Sequence, residues 1–235
     1  MAHFDRLPVV CVLAGGLGTR LGSLTQGVPK GLVPIAGEPF LVHQLRLLRN
    51  QGVERVVICV GHLGDQIERA LGTECEGVSI DYSFDGPAPV GTLGAIRQAI
   101  RLLDDQFLVM YGDTLLQVDF IDFHATWVSS GLPGGMTVFR NEGRFDSSNV
   151  IYRDGRVDLY DKASSSPEML WIDYGLGALQ VGALEEVPRT TRDLAELYFR
   201  LSRGRSLFGY EVRDRFYEIG TPSALEETSR FLAGR

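Results

Sequence analysis

The chain has 235 residues, 44% hydrophobic and 9% aromatic, enough to bury one sizeable core, and no linker interrupts it, so a single domain over 1–235 is expected. Lys plus Arg number 23 against 30 Asp plus Glu, and the net charge of -7 excludes a general polyanion surface for nucleic acid or anionic lipid while leaving room for a small anion held by local cations. The opening MAHFDRLPVV lacks the pattern of a leader and no later segment is apolar enough to span a membrane, so a soluble, cytoplasmic protein is expected.

Val9 to Leu13 is a short apolar run followed by glycines, and RVVICV (55–60) is another; each predicts a strand buried on both faces. Between them Pro39, the spacing of Leu41, Leu45 and Leu48, and Gly52 as a stop predict a helix, which makes a β-α-β unit. A second helix around 64–71 leads to the alternating strand VSIDYSF, and the helical spacing of Leu93, Ile96, Ile100 and Leu103 leads to the strand FLVMY (107–111). This alternation implies a mainly parallel sheet covered by helices. Phe120, Phe123 and Trp127 share one helix face, a spacing that favours core packing over a base-stacking platform.

Beyond Gly134 the pattern shifts to shorter strands, GMTVFR, NVIYRDGRVDLYD and MLWIDYGLGAL, with Asp154-Gly155 as a hairpin turn. These predict mixed strands and a second wall to a cleft. A helix near 193–201, strands LFGYEV and RFYEI, and a last helix opened by Thr221 and Pro222 complete the chain. Cys11 and Cys59 fall in buried strands and, with Cys75, read as reduced thiols; four scattered histidines give no zinc spacing.

The chemistry gathers at strand ends. In the stretch LAGGLGTRLGSLTQGVPKGL (13–32), Gly15, Gly16 and Gly18 let backbone amides approach phosphate oxygens, Thr19 adds a hydroxyl, Arg20 a fork suited to phosphate, and Lys30 a second cation. Neither a P-loop nor a complete dinucleotide fingerprint is present. Asp113 follows FLVMYG directly, where its carboxylate emerges at the sheet edge, either as a turn residue or as a ligand for magnesium.

LAGGLGTRLGSLTQGVPKGLVPIAGEPF resembles the signature of the sugar-1-phosphate nucleotidyltransferases, and the likeness runs through PVGTLGAI and YGDT to YEIGTP. The resemblance implies a Rossmann-like α/β three-layer sandwich of the nucleotide-diphospho-sugar transferase type, with a mainly parallel, mixed central sheet. It implies that Leu13, Ala14, Gly15, Gly16, Gly18 and Thr19 cradle the nucleotide, that Arg20 holds the triphosphate, and that Lys30 bridges toward the reacting phosphates. Gly91 and Thr92 would lie near base and ribose. Asp113 would hold Mg2+ together with Glu218, which stands where the family usually has aspartate. The family's Glu-Lys pair appears as Asp161-Lys162 and its Asn-Ala-Gly as Asp173-Tyr174-Gly175, so Lys162 would meet the sugar phosphate, with Asp161, Asp173 and Gly175 beside the sugar.

Within that family the chain looks most like the heptose-1-phosphate and mannose-1-phosphate guanylyltransferases, which implies GTP and a manno-configured sugar 1-phosphate as substrates. UTP- or CTP-dependent transfer stays open on these residues, as does a catalytically silent subunit that binds nucleotide-sugars. A homo-oligomer also stays open.

Overall fold

The computed structural model describes residues 6–16, 18, 21–22 and 27–234. Strand β1 (Val10–Leu13) is followed by two short pairing strands, β2 (Pro34–Ile35) and β3 (Glu38–Pro39), and by helix α1 (Phe40–Asn50). Then come β4 (Arg55–Val60), α2 (Gly64–Leu71), β5 (Glu74–Cys75), β6 (Val78–Phe84), α3 (Thr92–Ala99) and β7 (Gln106–Tyr111). The helical spacing that runs on to Leu103 breaks at Ala99, where a 3-10 turn (Ile100–Leu102) finishes the segment.

In the second half, β8 (Thr114–Leu115) and α4 (Phe120–Ser130) precede β9 (Gly134–Arg140), β10 (Val150–Arg153), β11 (Arg156–Tyr160) and β12 (Trp171–Gln180). Helix α5 (Leu194–Arg203), β13 (Leu207–Val212), β14 (Tyr217–Glu218) and α6 (Pro222–Ala233) follow. Asp154 and Gly155 both take positive φ, 49° and 77°, as the tight β10–β11 hairpin requires.

Ten strands form one sheet in the order β10-β11-β13-β9-β12-β7-β1-β4-β6-β5. β7, β1, β4 and β6 pair in parallel, as the β-α-β pattern predicts. From β12 outward the sheet is mixed: β12 runs antiparallel to both β7 and β9, and β13 pairs in parallel with β9. RFYEI, expected as a full strand, contributes only Tyr217 and Glu218, which pair with β8 in a separate ladder before Thr221 caps α6 by accepting the Ala224 N–H.

Alternation along the strands divides the core. Val10 and Val12 face α1, α2 and α4, where Phe120, Phe123 and Trp127 are buried as the helix spacing predicts. Cys11, Val57 and Cys59 face α3 and α5. The sheet is thus covered on both faces by helices, and its buried thiols, Cys11 and Cys59, lie free with their sulfurs 3.5 Å apart.

Arg97 of α3 fastens the chain that enters α5. Its guanidinium donates to the carbonyls of Leu184, Val187, Pro188, Arg189 and Thr191 at 2.9 to 3.2 Å. A lysine keeps the charge but lacks the planar fork. Arg97→Lys is therefore expected to destabilise the fold by about 2 kcal/mol, read as a lower urea midpoint with an unchanged m value.

Candidate functional site

The parallel strands deliver their carboxyl ends to one edge, where backbone bonds continue the ladder into the loops. Ala14 N–H donates to the Cys59 carbonyl, Gly112 N–H to that of Leu13, and Asp85 N–H to that of Val60, each at 2.9 Å. The crossing at Gly112 is tight, since a Cβ there would sit 2.9 Å from the Ala14 methyl. Among the described residues nothing lies within 4 Å of a Cβ placed on Gly16, and Gly18 takes φ 65°. Thr19 and Arg20 lie outside the described residues.

Lys30 reaches this edge from a short 3-10 turn (Lys30–Leu32) whose Gly31 is pressed against Leu41 of α1; a Cβ on Gly31 would come within 2.6 Å of that side chain. The Lys30 Nζ donates to Asp113 Oδ2 at 2.6 Å. The side chains are 12% and 30% exposed, so the pair is only partly screened by water. Two residues 83 positions apart thus meet beside the glycine turn.

A cavity of about 370 Å³ opens here, lined by Leu13, Ala14, Gly15, Gly16, Lys30 and Asp113. Gly91 and Thr92 line it too. Gly91 takes φ 80° and presses on the Arg192 carbonyl. The Thr92 hydroxyl accepts the Leu194 N–H at 2.8 Å and donates to Asp193 Oδ1 at 3.1 Å, so it joins the cavity wall to the N-terminus of α5.

The lining also contains Asp85, which the sequence reading passed over. A signal was present: Asp85 follows β6 directly, as Asp113 closely follows β7. Burial pushes its carboxyl above the usual range, against the opposing pull of the Val90 N–H. A larger open groove of about 1040 Å³ beside α1 and α6 is a weaker candidate, because its Arg46 is already paired with Glu38 and Glu76.

Across the β7–β12 boundary lie the residues assigned to the acceptor. Asp173 is set among Tyr111, Tyr198 and Gly175. Its carboxyl is raised by burial, while the nearby Lys162 and the Gly175 N–H, 3.0 Å from Oδ1, act in the opposite sense. The Lys162 ammonium lies 6.0 Å from the centre of the Tyr111 ring and 5.8 Å from that of Tyr160. Asp161 faces its own turn instead, accepting from Ser164 Oγ and from the Ala163 and Ser164 amides. Of the carboxylates proposed for the sugar, Asp173 stands beside Lys162 and Asp161 is engaged locally.

Glu218 arrives beside Asp113 through the β14–β8 ladder, paired with Thr114, and the next residue, Ile219, donates its N–H to the Asp113 carbonyl. Gly220 makes room for the Glu218 carboxylate, which a Cβ at that position would strike. Among the described residues no three His, Cys, Asp or Glu side chains group as a complete metal cage. Two carboxylates are nonetheless the donor set that suits Mg2+, which retains waters and takes further oxygens from phosphates.

Comparison with known proteins places the chain in a family. Residues 10–175 match the MobA-like NTP transferase domain family. The D-glycero-alpha-D-manno-heptose 1-phosphate guanylyltransferase of Campylobacter jejuni is 35% identical over 216 residues, covering 90% of this chain and 94% of the relative. A mannose-1-phosphate guanyltransferase of Gibberella zeae is 29% identical over 220 residues, and the match spans 90% of this chain but only 60% of that longer protein. The crystal structure of HddC from Yersinia pseudotuberculosis complexed with GMP-PN superposes with a TM-score of 0.81 at 25% identity, covering 96% of this chain and 100% of that one. The inositol-1-phosphate CTP transferase from T. maritima shares the fold, with a TM-score of 0.77 at 18% identity over 97% of this chain and 95% of that one. The chain belongs to the MobA-like NTP transferase domain family, and its nucleotide-diphospho-sugar transferase fold is the one that the resemblance of its motifs implies.

Proposed function

We propose that this chain transfers a nucleotidyl group from GTP to a heptose- or mannose-type sugar 1-phosphate, forming a nucleotide-sugar and pyrophosphate in the cytoplasm. The observation that carries the reading is the Lys30–Asp113 pair beside a bare glycine turn, with Lys162 and Asp173 across the next strand boundary. The names of the relatives, heptose- and mannose-1-phosphate guanylyltransferases, favour the base and the sugar.

The sugar phosphate is already an anionic nucleophile. One of its oxygens forms a bond to the α-phosphorus while the bridging oxygen toward the β-phosphorus departs with the bonding electrons as pyrophosphate. The protein's task is to bring two mutually repelling anions into line and to neutralise the leaving group. Amides of the turn at Leu13 to Gly16 and at Gly18 and the Lys30 ammonium meet the nucleotide's phosphates, and Lys162 meets the acceptor phosphate. Arg20 belongs to the same cationic set by its place in the signature. Asp113 and Glu218 would hold Mg2+, which supplies charge neutralisation on the phosphates. Asp173 and the backbone at Gly175 then orient the sugar.

Pyrophosphate release, measured over a panel of nucleoside triphosphates and sugar 1-phosphates, tests the assignment: turnover is expected with GTP and a manno-configured acceptor, and its absence with every pair would overturn it. Chelation of divalent cations is expected to abolish turnover. Lys30→Ala and Asp113→Asn are each expected to lower kcat roughly 100-fold or more with the circular dichroism spectrum unchanged. Lys162→Ala is expected to raise KM for the sugar phosphate by roughly 10-fold or more while leaving nucleotide binding, followed by calorimetry, near the wild-type value.

A further inference from the structure

A second, much smaller cavity lies beside Asp173, where the sheet meets α5. Its walls include Asp173, Gly175 and Gly177 of β12, Tyr111 at the end of β7, and Leu194 and Tyr198 of α5. Gly177 carves the opening for the phenol, since a Cβ at that position would strike the Tyr198 hydroxyl. The ring is held edge-on against Tyr160, with 5.7 Å between centres. Tyr198 is only 3% exposed, yet its hydroxyl makes no hydrogen bond among the described residues.

Asp173 shows a matching deficit. Its Oδ1 accepts the Gly175 N–H at 3.0 Å, while its Oδ2 accepts no hydrogen bond among the described residues. A buried carboxylate oxygen and a buried phenol facing the same space without partners each carry a desolvation cost that folded proteins rarely leave standing. The cavity that both of them line measures about 10 Å³, which is room for one water molecule and too little for a sugar ring.

We infer that one buried water seated in this cavity joins the Tyr198 hydroxyl to Asp173 Oδ2, which makes Tyr198 a positioning residue for the acceptor sugar. This rests on the nucleotidyl-transfer reading for the task of Asp173 at the sugar hydroxyls. The phenol donates its O–H to the water, and the water donates one of its own to the carboxylate. The plane of the carboxylate is then fixed twice, by the Gly175 N–H on one oxygen and by the water on the other. Its remaining lone pairs point in one direction, and a fixed direction is what selection among sugar hydroxyls needs. Tyr198→Phe keeps the ring against Tyr160 and removes only this tether. If the phenol merely filled space, its hydroxyl would be dispensable to the sugar.

The test is calorimetric binding of GDP-mannose and of GDP by the wild type, Tyr198→Phe, Asp173→Ala and the double variant, together with a high-resolution crystal structure of the wild type. Tyr198→Phe is expected to weaken GDP-mannose roughly 3- to 10-fold and to leave GDP, which has no sugar to place beside Asp173, within roughly 2-fold. On the Asp173→Ala background the same substitution is expected to change GDP-mannose affinity by less than roughly 2-fold, because the tether has lost its anchor. The crystal structure is expected to show a water within hydrogen-bond distance of both Tyr198 Oη and Asp173 Oδ2. A dry cavity overturns the inference, as does wild-type affinity for GDP-mannose in Tyr198→Phe. An equal loss on both backgrounds, or a parallel loss of GDP, marks a packing effect and overturns it too. Pyrophosphate release run in parallel separates the two readings: a selective loss of GDP-mannose without turnover of any pair sinks the transferase assignment alone, and turnover with GDP-mannose affinity untouched by Tyr198→Phe sinks the tether alone.

Discussion

Parallel pairing of β7, β1, β4 and β6 is the constraint on which the site depends, because it brings four carboxyl ends to one edge of a sheet whose faces are closed. With α1, α2 and α4 on one side and α3 and α5 on the other, no open face remains for a ligand over these strands. Loops that leave the strand ends carry backbone amides and short polar side chains, and those are the groups an anion needs. The glycine turn after β1, Asp85 after β6 and Asp113 after β7 are three instances of one topological rule.

Charge is distributed along that edge in a way the net value of -7 conceals. Lys30 and Lys162 stand each beside an acid, Asp113 and Asp173. Lys30 is ion-paired to its acid, whereas Lys162 acts on Asp173 only through its charge at longer range. An acid-rich protein with its cations so grouped attracts a small anion to one line and repels polyanions elsewhere.

Much of this was legible in the sequence because local signals and tertiary placement coincide in β-α-β units. The apolar runs, the Asp154-Gly155 turn, the Thr221 cap and the aromatic stripe of α4 each formed as their patterns require. Lys30 and Asp113 were legible because both sit beside strong motifs. Asp85 was not, since nothing in SFDGPAPVGT marks which side chain turns inward; its place follows from Gly15 and Gly61, distant in sequence. The engagement of the Thr92 hydroxyl with α5, and of Asp161 with its own turn, likewise depends on partners or loop geometry that no periodicity encodes. RFYEI shortened to two paired residues because the start of α6 limits the ladder.

Strand β12 has a mechanical consequence. It is hydrogen-bonded to β7 on one side and to β9 on the other, with a register shift in the β9 pairing between Asp173 and Gly177. The parallel half and the mixed half of the sheet therefore share one continuous ladder, and swinging them apart would break a row of backbone bonds. A clamshell motion is foreclosed, so any shutting of the cleft falls to the loops above the strand ends. The separation of the β7 and β9 strand ends is then a property of strand spacing, set when the sheet folds.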